Sequence, residues 1–105
     1  MQFIETPVFM HALRRHLDDE TYRALQIALL LRPTQGPIIQ GSGGLRKLRW
    51  AIPGRGKRSG VRLIYYWEPA GQTFYMLYLY AKNEQGDLTS DQLKVLAKLV
   101  REEFT

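Results

Sequence analysis

The chain has 105 residues, 45% hydrophobic and 24% charged, with a net charge of +5 and no cysteine. That is one domain's worth of core in a soluble composition, which excludes a disulfide framework, a thiolate nucleophile and a thiolate metal site. Two histidines, His11 and His16, are too few for a metal centre; no apolar run nears the roughly 20 residues of a membrane span, and no signal-peptide pattern opens the chain.

A single cytoplasmic domain over residues 1–105 is therefore expected. The first strand is expected at Gln2–Glu5. Thr6 then reads as an N-cap with Pro7 at the first helical position, where its missing N–H costs nothing. Phe9 and Leu13 share one face of the short helix that follows. "DDET" opens a second helix, its acids suited to the positive helix end, carrying Tyr22, Leu25, Ala28, Leu29 and Leu31. It stops at Arg32, because Pro33 disfavours helix before it. The two helices are expected to pair as an antiparallel hairpin.

"TQGPIIQGSGG" is loop chemistry, and three strands follow it. "LRKLRWAI" alternates, with Leu48, Trp50 and Ile52 on one face and Lys47 and Arg49 on the other. "VRLIYYW" is apolar on both faces except at Arg62, and "TFYMLYLYA" is apolar throughout, which predicts a central strand covered on both sides. Thr89 to Gln92 fits a capping box, followed by a helical stripe of Leu93, Leu96, Ala97, Val100 and Phe104. The order β-α-α-β-β-β-α predicts an α+β fold, with helices on a small, mainly antiparallel twisted sheet.

Charge is segregated along this order. From Thr21 to Trp67 there is no acid but there are nine cations, among them Arg46, Lys47, Arg49, Arg55, Lys57, Arg58 and Arg62. The remainder holds six basic and ten acidic residues. Such a field attracts polyanions, so nucleic acid or an acidic protein is the expected partner. Pairing of the two strands gathers Lys47, Arg49 and Arg62 on one face, with the Arg55–Lys57–Arg58 loop at its rim. Like charges that close are best tolerated where an anion sits between them, and guanidinium forks match phosphate oxygens. "GSGGLRK" and "GRGKRSG" both lead into strands, so neither is a P-loop or a dinucleotide fingerprint. Most of the aromatics between Trp50 and Tyr80 are core. Tyr80, near a strand end, is the candidate for stacking on a base.

"GGLRKLR", "GKRSGVRLIYY" and "YAKNE", in this order and with an amphipathic last helix, resemble the RelE-like toxins of bacterial toxin–antitoxin pairs, HigB-type branch. The resemblance spans nearly the whole chain. It implies a small toxin of the RelE/ParE-like fold that enters the ribosomal A site and cuts mRNA there without a metal or cofactor. It also implies neutralisation by a cognate antitoxin, which in the HigA type carries a helix-turn-helix. By motif position it makes Lys47, Arg49, Arg62 and Lys82 the catalytic cations. Arg46, Arg55, Lys57, Arg58 and Tyr80 are expected to contact RNA or the ribosome. Some relatives place a tyrosine soon after the "KNE" ending; "QGDLTSDQ" has none, so its task is unassigned or falls to Tyr80 or a lysine. Arginines serve the charge of the transition state, and Lys47 or Lys82 moves protons. Glu84, the acid nearest these cations in sequence, is read as balancing charge, and His11 and His16 as surface or packing residues. The other readings are a non-catalytic toxin of the same fold that blocks a host protein such as gyrase, and a plain RNA-binding module.

Overall fold

In a computed structural model of the chain, which describes residues 1–52 and 60–103, the elements follow the expected order. They are β1 (Gln2–Glu5), α1 (Pro7–His16), α2 (Asp19–Leu31), β2 (Arg46–Trp50), β3 (Val61–Glu68), β4 (Thr73–Ala81) and α3 (Ser90–Glu103). Each helix starts on a side-chain cap. The Thr6 hydroxyl accepts from Phe9 N at 3.0 Å, and Asp18 Oδ1 accepts from Thr21 N at 2.7 Å. Before α3 the capping box is reciprocal: Thr89 Oγ1 accepts from Gln92 N at 3.1 Å, and Gln92 Oε1 accepts from Thr89 N at 3.0 Å.

The sheet order is β1-β4-β3-β2. β1 runs parallel to β4, and the other neighbours are antiparallel. β3 and β4 are therefore central, which is why both faces of their sequences are apolar. The β3–β4 register slips after Ile64, which faces Tyr78 while Tyr65 faces Met76. Leu77 is the extra residue, and its carbonyl accepts from the Thr6 hydroxyl at 3.1 Å, so the bulge is tied to the start of α1. Residues 37–39 lie along β2 as a short extra edge, with Lys47 N donating to Pro37 O at 3.1 Å and Ile39 N to Leu45 O at 2.8 Å.

A core lies on each side of the sheet. On one side Phe9, Leu13, Leu25 and Leu29 of α1 and α2 pack on Leu63, Tyr65, Phe74, Met76 and Leu79. On the other, Val100, Leu93 and Leu96 of α3 cover Ile64, Leu77 and Tyr80. Gly60 enters β3 where only glycine fits, since a Cβ there would lie 2.5 Å from the Trp50 carbonyl oxygen.

Three expectations change. β2 ends at Trp50 rather than Ile52, because its last partner is Val61, the first residue of β3. Leu31 is 77% exposed, two positions past Leu29 and off the buried stripe. The first two helices meet through Phe9 and Tyr22, ring centroids 5.9 Å apart, but α1 rests mainly on β4. Phe104 lies outside the described residues.

Candidate functional site

Strand register builds the site. Arg49 stands opposite Arg62, and Arg62 opposite Tyr80; the adjacent row is Lys47, Ile64 and Tyr78. Residues directly opposite share a face, and so do residues two apart on one strand. Lys47, Arg49 and Arg62 thus point to the α3 side of the sheet. Arg49 is exposed, whereas Arg62 is only 7% exposed. The guanidinium of Arg62 donates to the Val61 carbonyl at 3.3 Å. Among the described residues no carboxylate forms an ion pair with it. A charge desolvated without a counter-ion is costly, and an incoming anion would relieve that cost.

An acid that the sequence reading passed over stands at the end of this row. Asp87 Oδ1 accepts from Leu88 N at 2.9 Å and from Lys47 Nζ at 3.2 Å, and lies 3.5 Å from the Tyr80 hydroxyl. The Leu88 amide and the Lys47 ammonium hold its carboxyl below the ordinary carboxylate range. Tyr80 is affected the other way. Burial, then the Asp87 charge, pushes its phenol up to about 12, although Arg62 pulls it down. At neutral pH Tyr80 therefore keeps its proton as a donor while Asp87 is an anion.

Gln85 fixes the loop that carries Asp87. Its amide donates to Asp87 O at 2.8 Å and to Gln92 Oε1 at 3.0 Å, and its Oε1 accepts from the Tyr78 hydroxyl at 3.2 Å. The carboxylate is thus held between the end of β4 and the capping box of α3. The available signal was topological. A helix that covers the cationic face must be reached by a loop crossing the end of that face.

Other expected site residues fall in different places. Lys82 follows β4, is exposed, and its N–H donates to Gly60 O at 3.1 Å, one residue before β3 begins. Arg46 alternates to the opposite face from Lys47. Its guanidinium grips the loop before β2, donating to Thr34 O at 3.1 Å and Gly36 O at 2.8 Å, away from the cationic row. Tyr80, expected as a stacking platform, is buried. Its ring is 2% exposed and packs against Tyr78, centroids 5.8 Å apart, so only the hydroxyl reaches the site. Arg55, Lys57 and Arg58 lie outside the described residues. Glu84 faces α1, with Arg15 Nη2 at 3.0 Å and His16 Nε2 at 2.8 Å.

Among the described residues no cluster of histidine and carboxylate side chains is placed to hold a metal ion, and no helix is long and apolar enough to cross a membrane. A cleft of about 770 Å³ opens between the α1–α2 junction and Trp50–Ile52, on the other side of the sheet from Lys47 and Arg62. The cationic row itself lies across the strands rather than in that cleft, a layout that suits an extended polyanion. Residues 8–105 match the family model described as RelE toxin of RelE / RelB toxin–antitoxin system.

Proposed function

The chain belongs to the RelE toxin family, and from that premise we propose that it is a ribosome-dependent mRNA endoribonuclease of the HigB-type branch. Membership makes it a toxin of a toxin–antitoxin system, in a family whose toxins in general cleave mRNA. The observation that carries the finer reading is Arg62, a buried guanidinium without a carboxylate partner among the described residues, set in line with Arg49. A scissile phosphate is the anion that such a pair fits.

RNA brings its own nucleophile. The 2′-oxygen attacks phosphorus, the bond to the 5′-oxygen breaks, and the products are a 2′,3′-cyclic phosphate and a 5′-hydroxyl. Arg62 and Arg49 stabilise the charge gathering on the phosphorane oxygens. The two protons move through the lysines. Of Lys47 and Lys82, the one that enters the step as a neutral amine takes the proton of the 2′-hydroxyl, and the ammonium of the other gives one to the leaving 5′-oxygen. The Tyr80 hydroxyl donates to a non-bridging oxygen, which replaces the tyrosine absent after Glu84. Arg55, Lys57 and Arg58 add contacts to RNA or ribosome.

The protein works in the cytoplasm. Its partner is a cognate antitoxin of the HigA type, with a helix-turn-helix of its own and an acidic or apolar segment to meet the basic field. Ribosome dependence is tested in cell-free translation. A translated message should be cut while the same RNA without ribosomes stays intact. Equal cutting of naked RNA would remove ribosome dependence, and translation arrest with intact message would favour a non-catalytic blocker.

A further inference from the structure

Beside the cationic row lies a small pocket of about 210 Å³, lined by Pro37, Ile38, Ile39, Leu88 and Leu93, with Lys47 and Asp87 at its polar end. We propose that this pocket binds one nucleobase of the substrate RNA, one that bears an exocyclic amino group. The inference rests on the endoribonuclease reading and adds to it a base preference.

Size comes first. The volume is below the ~300 Å³ at which sites for drug-sized ligands begin, so a planar base fits while its ribose and phosphate stay outside. The walls suit a base: aliphatic side chains from the 37–39 edge on one side and from the start of α3 on the other offer dry surfaces to its two faces. Ile38 is 58% exposed, more apolar surface than a solvated edge needs.

Position comes second. Lys47 belongs both to this pocket and to the face that carries Arg49 and Arg62. A base in the pocket is therefore continuous with a phosphate on the arginines. Polarity comes third. Among the described residues, the contacts to the Asp87 carboxylate, from Lys47, Leu88 and Tyr80, fall on Oδ1. Among those residues Oδ2 is left as an acceptor, on a side chain that is 71% exposed. A carboxylate oxygen accepts from the amino group of adenine, cytosine or guanine. Uracil has no amino group, and its one edge donor, N3–H, lies between two carbonyl oxygens that repel a carboxylate.

The test is titration of the isotope-labelled full chain with adenosine, cytidine, guanosine and uridine 5′-monophosphates, read from backbone amide shifts. Saturable shifts are expected at Ile38, Ile39, Leu88 and Leu93, with the three amino-bearing nucleotides binding about 3- to 10-fold tighter than uridine monophosphate. Ile38→Trp should remove the saturable shifts by filling the pocket. Asp87→Asn should level the four affinities while the pocket still binds. Absence of saturable shifts at these amides, or uridine monophosphate binding as tightly as the others, would overturn the proposal. Binding does not depend on cleavage. Pocket shifts in a chain that makes no cuts would sink the nuclease reading alone, and cuts by a chain without pocket shifts would sink the subsite alone.

Discussion

Arg62 is the residue on which sequence and structure place the most weight. It interrupts the apolar run of β3 and is buried beside Val61 with no acid paired to it among the described residues. A structural ion pair would lose stability when one partner is removed. A buried cation waiting for an external anion should not. Arg62→Met keeps the apolar stem and removes the charge, so its melting temperature in calorimetry should equal or exceed that of wild type. A large drop would mean that Arg62 supports the fold. Tyr80 makes a second prediction. Its folded-state value of about 12 lies above the ordinary tyrosine value of 10.0. The neutral phenol therefore contributes stability fully below pH 10, and that contribution is lost as pH rises toward 12. Denaturant midpoints measured from pH 9 to pH 12 should fall more steeply for wild type than for Tyr80→Phe. Parallel curves would show that the phenol is not buried beside the Asp87 charge.

The individual elements were legible because each rests on local chemistry. Thr6 with Pro7, the acids of "DDET" and the Thr89–Gln92 box announce three helix starts, and Thr6, Asp18 and Thr89 accept the capping hydrogen bonds there. Thr89→Ala should cost about 1 kcal/mol, a fall in melting temperature of about 4 to 8 °C. It should also loosen the loop that holds Asp87, while an unchanged melting temperature would show that the cap contributes little. Alternation in β2 put Leu48 and Trp50 in the core and Lys47 and Arg49 on the other face, as observed. The same alternation turns Arg46 away from Lys47. Asp87 was beyond local reading. Its role depends on where the loop after β4 passes over the sheet, which α3 decides. The environment of Tyr80 was hidden for the same reason, since position near a strand end does not tell whether a helix covers it.

At the scale of the whole molecule, charge segregation along the chain becomes charge on one face because β2 and β3 pair. Two distant lengths of sequence, one with Lys47 and Arg49 and one with Arg62, meet in register. The loop after β4 brings Asp87 against Lys47 at the end of the row, and α3 seals the core beneath. The family match covers the same span. The central claim is that this row cuts mRNA and that Arg62 supplies charge to the transition state. It is tested most directly by inducing the chain in cells and mapping new mRNA 5′ ends, beside the Arg62→Met variant at equal abundance. Clustered new ends with wild type, reduced at least about 100-fold in the variant, are the expected result. Growth arrest without new ends, or cuts that persist at full frequency in Arg62→Met, would contradict it.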